Sequence, residues 1–204
     1  MTSEQLTATE DEIAALWNAG ELPYLTHLEG SKDGKYERFM CDFFHSSVRP
    51  TDWVVASHRC HFAYTLHGGI DLVEQVKRGR SMFLYREKFL NSAIVAGVAP
   101  IAVGMALSIQ QRGGSERVFA FGGDGCEDHG HWMESVVYSW QKNLPLTWVI
   151  TDNDSSCGVS KEKRRGSSLD IPWPPNVIRV QYEPKYPHAG SGVPMTLKRK
   201  EPRL

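Results

Sequence analysis

The sequence has no CxxC pair, no Gly-x-Gly-x-x-Gly turn, no internal repeat and no large excess of either charge. Its cysteines are few and far apart, which predicts free thiols in a reducing compartment and neither a zinc site nor a disulfide framework. Because the Gly-x-Gly-x-x-Gly turn is missing, an unrelated dinucleotide-binding domain is disfavoured. The four cysteines are Cys41, Cys60, Cys126 and Cys157.

Long apolar runs and basic surfaces are also scarce. The longest apolar run, residues 93–109, is interrupted by Pro100 and two glycines, and it is shorter than the roughly 20 residues that a membrane span needs. The N-terminal segment MTSEQLTATEDE is polar and acidic, unlike a secretory signal. The formal net charge is −1, and the basic cluster KRKEPR near the C-terminus is interpreted as a solvated tail. We therefore expect a cytoplasmic protein with neither a membrane nor a nucleic-acid partner.

The composition is that of a globular protein. Hydrophobic residues make up 41% and charged residues 23% of the 204 positions, which is enough apolar material for a substantial core. We expect an N-terminal helical arm over residues 1–20, one α/β domain over residues 21–190 and a basic tail over residues 191–204.

Residues 117–160 have the pattern of a βαβ unit. RVFAF predicts a buried strand, Gly122 and Gly123 predict a turn, and LTWVI predicts the parallel partner strand. Between the two strands, apolar residues recur at the spacing of an amphipathic helix. These residues are Trp132, Met133, Val136, Val137 and Trp140.

Other segments carry weaker patterns. Helices are predicted over residues 4–19, 36–44 and 71–80, and strands over residues 53–56 and 176–182. Residues 78–92 are predicted to be a loop. Small and aliphatic residues after Ala93 predict a buried helix with Pro100 in its first turn, ended by Gly113 and Gly114.

Polar residues follow both strands of the βαβ unit. Asp124 stands between two glycines just after the first strand, and Asn153 follows the second strand, 29 positions later. The carboxyl ends of parallel strands open on the same edge of a sheet, so the two side chains should converge there. A carboxylate and an amide oxygen beside glycines suit a hard cation that itself holds phosphates. An ordinary Rossmann-like turn with a helix-capping aspartate is the alternative.

This spacing resembles the thiamine diphosphate signature, in which GDG begins the motif and an asparagine ends it about thirty residues later. By that resemblance Asp124, Asn153 and a backbone carbonyl near Ser155 would ligate Mg²⁺, and the ion would hold the diphosphate of the cofactor. Gly123, Gly125 and Cys126 would contact the cofactor. Gly130 and Glu134 also match family positions.

Other segments resemble the alpha subunits of thiamine-dependent 2-oxo acid dehydrogenases. The sequence HRCH matches a family HRxH in which the arginine contacts the diphosphate, and His27-Leu28 resembles a His-Leu step whose histidine reaches the reactive cofactor carbon. Val95 and Ala93 precede the buried helix, where family backbone groups bind the aminopyrimidine ring. The resemblance thus implies catalytic roles for His27, His61 and His188, and cofactor contacts for His58 and Arg59.

The resemblance implies a three-layer Rossmann-like fold, with a mostly parallel sheet and helices on both faces. It also implies a beta-type, pyrimidine-binding subunit that supplies the activating glutamate in an α2β2 assembly, and a small carbonyl substrate such as a 2-oxo acid. Glu134 lies on the diphosphate-side helix and would not replace that glutamate. A split transketolase-type enzyme and a non-catalytic relative are the alternatives, and the HRxH cluster favours the dehydrogenase type over the transketolase type.

Overall fold

The computed structural model describes residues 1–22, 26–167 and 170–186. The strands are β1 (Trp53–Ser57), β2 (Tyr85–Arg86), β3 (Phe89–Ser92), β4 (Val118–Gly123), β5 (Leu146–Asp152) and β6 (Val177–Gln181). The helices are α1 (Ser3–Asn18), α2 (Lys35–Ser47), α3 (His61–Leu66), α4 (Leu72–Lys77), α5 (Val98–Gln111), α6 (Gly130–Gln141) and α7 (Lys161–Arg165). A 3₁₀ turn, Asp124–Asp128, joins β4 to α6.

The six strands form one sheet in the order β2-β3-β1-β4-β5-β6. Only the pairing between β2 and β3 is antiparallel; β3, β1, β4, β5 and β6 run parallel. In the register of β4 with β5, Gly123 lies beside Thr151. The carboxyl ends of the two strands therefore lie side by side, as the predicted βαβ unit requires.

Both faces of the sheet are buried, because alternate side chains of each strand point to opposite faces. In β1, Val54 and Ala56 pack in a core with α1, α2, α3 and α4, whereas Val55 packs with α5 and α6. Burial on both faces explains why the strands lack a polar face. The predicted three-layer α/β fold is confirmed.

Helix α5 has small residues where it packs closely. Ala99, Ala102 and Ala106 are all fully buried and recur at helical spacing. Pro100 stands in its first turn, and Gly113 follows the helix with a positive φ of 65°, as the sequence predicts. Gly114 then donates its N–H to the carbonyl of Ile109 and closes the helix.

The prediction of a loop over residues 78–92 is wrong, because the segment contains β2 and β3. The two strands are only two and four residues long, too short for an alternating pattern to be recognised. Phe89 is fully buried in the core, and β3 pairs with β1 inside the sheet. Lys88, at φ 62°, provides the tight reversal between the two strands.

Two details of the βαβ unit also differ from the prediction. Gly122 and Gly123 belong to β4 itself, and the chain turns only at Asp124. The apolar stripe of α6 is only partly covered. Trp132 and Val136 are buried, whereas Met133, Val137 and Trp140 are exposed by 39–46%.

The N-terminal helix packs against the rest of the described chain. Leu6 and Ile13 of α1 are buried in the core shared with α2, and Glu10 accepts a hydrogen bond from the N–H of Glu29 at 2.8 Å. The proposed boundary at residue 20 stays a prediction, and the tail over residues 191–204 lies outside the described residues. All four cysteines are free, as predicted. No helix in the described ranges has the length and apolar character that crossing a bilayer requires.

A buried carboxylate fixes the starts of β1 and β4. Asp52 is fully buried and accepts hydrogen bonds from Arg49 Nη2 at 2.7 Å, from the N–H of Arg117 at 2.8 Å and from Arg117 Nη2 at 3.0 Å. Burial alone would raise the pKa of Asp52, but the hydrogen bonds from both arginines outweigh it and hold the pKa at about 2. Asp52 thus joins the two strands whose far ends carry candidate site residues.

We predict that Asp52→Asn lowers the free energy of unfolding by about 2 kcal/mol at pH 7, because it removes a charged acceptor from two arginines. A carboxylate with a lowered pKa stabilises the folded state above its unfolded pKa of about 4, and this contribution is lost as the pH falls through about 2. Urea unfolding between these two pKa values should show that the difference in unfolding free energy between the wild type and Asp52→Asn shrinks as the pH falls. Asp42→Asn, at an exposed position of α2, is the control. An equal loss of unfolding free energy in both variants would contradict the prediction.

Candidate functional site

A cavity opens at the carboxyl ends of β1, β4 and β5, the edge where ligands bind in parallel sheets. It encloses about 540 Å³ including its mouth, and its wall is formed by the strand ends and the loops that follow them. The lining residues are His27, Ser57, His58, Arg59, Val95, Gly123, Gly125, Cys126, Thr151, Asn153, Ser155, Ser156 and Cys157. Most of the predicted cofactor contacts are therefore brought together on one wall.

Asp124, at the start of the 3₁₀ turn, is fully buried and is not among the lining residues, although its neighbours Gly123 and Gly125 are. Its Oδ2 accepts a hydrogen bond from Arg164 Nη2 at 2.6 Å, whereas its Oδ1 is buried and has no hydrogen-bond partner among the described residues. Burial raises the pKa of the Asp124 carboxyl above its ordinary value, and Arg164 only partly opposes this. A buried carboxylate oxygen without a partner is costly, so this site suits a cation.

Glycine at position 125 is required by a close approach of the loop after β5. A Cβ at Gly125 would lie 2.2 Å from Ser156 Oγ and 2.6 Å from Ser156 Cβ. Any side chain would push that loop away from the 3₁₀ turn. The glycine therefore keeps the two strand-end segments together on the cavity wall.

Asn153 and Ser155 lie on the loop that follows β5. Asn153 Oδ1 accepts a hydrogen bond from the N–H of Ser155 at 3.2 Å, the pattern of an Asx turn. Asp154 and Cys157 both have positive φ, at 52° and 50°, so the loop reverses sharply at these points. The reversal brings Asn153 and Ser155 into the cavity wall with Gly123 and Gly125.

Two histidines share the side of the cavity that follows β1. The rings of His27 and His58 lie edge to face with centroids 4.5 Å apart, and both residues line the cavity. Burial, with a smaller contribution from Arg59, lowers the pKa of His58 to about 4. His58 is therefore a neutral imidazole at pH 7, and its buried Nδ1 has no hydrogen-bond partner in the part of the chain that the structure describes.

Arg59 brings a permanent positive charge to the cavity. It is the second residue after β1, is only 8% exposed and lines the same cavity as Asn153 and Gly125. A guanidinium has five donors in a planar fork and suits phosphate oxygens.

His61 and Ala93 are not among the residues that line the cavity. His61 is fully buried, with Nδ1 2.6 Å from Glu10 Oε1 and Nε2 2.9 Å from Ser81 Oγ. Burial lowers the pKa of His61, but Glu10 outweighs it and the net shift is upward. Both ring nitrogens thus have partners in the core. The catalytic role of His61 stays a prediction.

The remaining predicted residues divide into two groups. Val95 lines the cavity, and its carbonyl lies 3.4 Å from His131 Nε2. Cys126 lines it too, but burial raises the pKa of its thiol to about 12, so it is an unreactive wall residue. His188 lies outside the described residues, and its proposed role stays a prediction.

Sequence patterns did not reveal the basic residues that surround Asp124. Arg164 and Arg165 belong to KEKRRG, which looks like an ordinary basic loop. In the structure both arginines contact the 3₁₀ turn some forty positions earlier. The only signal was the clustering of four basic residues soon after the predicted asparagine ligand.

The described residues hold no group of three or more His, Cys, Asp or Glu side chains suited to a metal ion. The candidate donors at this site are instead one carboxylate, one side-chain amide and one backbone carbonyl, of Asp124, Asn153 and Ser155. Such a set leaves several positions around a magnesium ion for water and phosphate oxygens. It is a typical donor set for an ion that arrives together with a diphosphate.

Comparison with known proteins gives one consistent result. The family model for the dehydrogenase E1 component matches residues 1–170. The alpha subunit of acetoin:2,6-dichlorophenolindophenol oxidoreductase from Cupriavidus necator is 24% identical over 176 residues, covering 79% of this chain and 50% of that protein. The mitochondrial pyruvate dehydrogenase E1 component subunit alpha of Chaetomium thermophilum is 27% identical over 126 residues, covering 56% of this chain and 31% of that protein.

The chain thus spans half the length, or less, of these two curated relatives. The family match over residues 1–170 includes β1 to β5, the 3₁₀ turn and the loop after β5. Because the family match covers most of the chain, the chain belongs to the dehydrogenase E1 component family.

Proposed function

We propose that this chain is the alpha-type part of a thiamine diphosphate-dependent dehydrogenase that acts on a 2-oxo acid or a similar carbonyl compound. The observation that carries the proposal is the buried, unpartnered Oδ1 of Asp124 behind a cavity lined by Arg59 and Asn153. A divalent cation would satisfy that oxygen, and a diphosphate would occupy the positions left around the cation. The two curated relatives are named as alpha subunits of an acetoin and of a pyruvate enzyme.

Asp124, Asn153 and the backbone carbonyl of Ser155 would hold Mg²⁺, and Arg59 would bind the diphosphate oxygens. Gly123 and Gly125 would let the backbone approach the diphosphate closely. The backbone before α5, at Ala93 and Val95, would contact the aminopyrimidine ring. When bound, thiamine diphosphate supplies a nucleophilic carbon and a ring that accepts the electron pair of the resulting carbanion.

The histidines of the cavity would handle protons. His58 is neutral at pH 7 because burial lowers its pKa to about 4, so its Nδ1 can hydrogen-bond a bound molecule without bringing a second positive charge beside Arg59. His27 lies against His58 and faces the same space. We assign His27 to the proton transfer nearest the substrate, in agreement with its place in the family motif.

A partner would complete the site. Among the described residues that line the cavity, none is a glutamate or an aspartate. Glu134, on α6, is exposed and is not part of the lining. The carboxylate that activates the aminopyrimidine would therefore come from a beta-type subunit, in an α2β2 assembly. The four free cysteines support a reducing compartment, and we place the protein in the cytoplasm.

One observation favours a second candidate, a non-catalytic relative that binds the cofactor. His61, which matches a family catalytic position, has both ring nitrogens engaged by Glu10 and Ser81 in the core. A histidine held in this way is not available to a substrate unless the core rearranges.

A transketolase-type protein is the alternative enzyme. Two assays distinguish it from a dehydrogenase: one supplies 2-oxo acids with an artificial electron acceptor, and the other supplies ketose phosphates with an aldehyde acceptor.

We predict that Asp124→Ala weakens the magnesium-dependent binding of thiamine diphosphate by more than about 100-fold, since it removes the only carboxylate of the proposed metal site. Calorimetry of the chain mixed with its beta-type partner, with thiamine diphosphate and Mg²⁺, measures this. Glu134→Gln removes an exposed carboxylate from the neighbouring helix and should bind like the wild type. Unchanged affinity in Asp124→Ala would remove the proposed site.

We predict that Arg59→Ala weakens thiamine diphosphate binding by about 10- to 100-fold, because charge-assisted hydrogen bonds to the diphosphate are lost. Arg59→Lys should recover only part of the affinity, since an ammonium lacks the planar fork. Thiamine without its diphosphate is the discriminating probe. If Arg59→Ala weakens thiamine as strongly as thiamine diphosphate, Arg59 acts on the shape of the cavity and not on the diphosphate.

A further inference from the structure

Helix α7 faces the 3₁₀ turn that carries Asp124. It is only five residues long, so it has little stability of its own. Its ends are well defined: the Ser160 hydroxyl accepts a hydrogen bond from the N–H of Lys163, and Gly166 follows it at φ 69°. The contacts that hold α7 in place are therefore those of its side chains.

Arg164 binds three different groups with one guanidinium. Its Nη2 donates to Asp124 Oδ2 at 2.6 Å, its Nε donates to Asp128 Oδ2 at 2.7 Å, and its Nη1 donates to the carbonyl of Val159. Two of these three partners are independent of Asp124. The guanidinium would thus keep its position if Asp124 also bound a cation.

Arg165 holds the same turn by contacting the backbone of the turn. Its Nη2 donates to the carbonyl of Asp124 at 3.0 Å and to Glu127 Oε2 at 3.2 Å, and its Nε pairs with Asp128. Both arginines are largely shielded from solvent, with side chains exposed by 13% and 14%. Two adjacent side chains of α7 therefore contact both the carboxylate and the main chain of Asp124.

An arginine beside a metal ligand could either compete with the metal or orient the ligand. Competition would require Arg164 to occupy the oxygen that the cation needs. Arg164 instead occupies Oδ2, and within the described ranges Oδ1 is the oxygen without a hydrogen-bond partner. We propose that Arg164 and Arg165 are positioning residues that hold the 3₁₀ turn so that Asp124 presents Oδ1 to the divalent cation. This inference rests on the proposed function.

The test compares magnesium affinity in variants of the full chain, by calorimetry at saturating thiamine diphosphate with the beta-type partner present. Arg164→Ala should bind Mg²⁺ about 10- to 100-fold more weakly, the usual effect of losing a group that orients a metal ligand. Arg164→Lys keeps the charge but loses the planar fork, so its magnesium affinity should lie between those of the wild type and Arg164→Ala. Lys163→Ala is the matched control, because it removes an equal charge from an exposed position of the same helix.

Equal or tighter magnesium binding by Arg164→Ala would overturn the proposal, and tighter binding would identify Arg164 as a competitor. A second measurement does not depend on metal binding. Hydrogen exchange of residues 124–128 in the metal-free chain should be faster in Arg164→Ala and Arg164→Lys than in Lys163→Ala and the wild type. Unchanged exchange would also overturn the proposal. A wild-type chain that binds no Mg²⁺ would instead contradict the proposed function, while the exchange experiment would still decide whether the arginines hold the turn.

Discussion

Asp124 lies buried where β4 ends, with one carboxylate oxygen paired to Arg164 and the other without a hydrogen-bond partner. Burying a charge in this way is unfavourable unless a cation compensates it. The parallel register of β4 with β5 forces the arrangement, because it brings Gly123 beside Thr151 and thus joins the segments that follow both strands. The amide of Asn153 and the loop at Ser155 reach the same cavity for this reason.

The rest of the sheet supports this edge. Asp52 joins the starts of β1 and β4 through Arg117, and the parallel pairing of the two strands continues from there toward their carboxyl ends. Arg59 follows β1, and its guanidinium is thereby placed on the wall that also includes Gly125. Packing on both faces of the sheet leaves the strand ends as the place where polar groups can gather.

Much of this arrangement could be predicted from the sequence, because the segments concerned have long and regular patterns. The strands β4 and β5 are recognisable as runs of apolar residues, and α6 is recognisable from the helical spacing of its apolar residues. The glycines mark the end of β4, and the polar residues after each strand indicate the site. β2 and β3 were missed since they are too short to show a period. The contact of Arg164 with Asp124 joins positions 40 residues apart, and no local pattern encodes such a pair.

His61 illustrates a different limit. Its position in HRCH matches a family motif, but its environment depends on Glu10 of α1 and on Ser81, which lies between α4 and β2. Which ring nitrogens are free is decided by these distant residues. A motif identifies the residue type at a position, whereas the partners that determine its chemistry come from the packing of other elements.

The charges around the 3₁₀ turn explain why a metal and a diphosphate would bind together. Ion pairs in the described chain connect five carboxylates, of Asp124, Glu127, Asp128, Asp152 and Asp170, to four cations, of Lys161, Arg164, Arg165 and Arg179. This network has one more carboxylate than cations, so its excess negative charge favours a cation and opposes a diphosphate that arrives alone. A divalent ion reverses that preference locally, and Arg59, which lines the same cavity, then provides the second positive group for the diphosphate. Binding of either ligand should therefore strengthen binding of the other, since each removes the unfavourable charge that the other would meet.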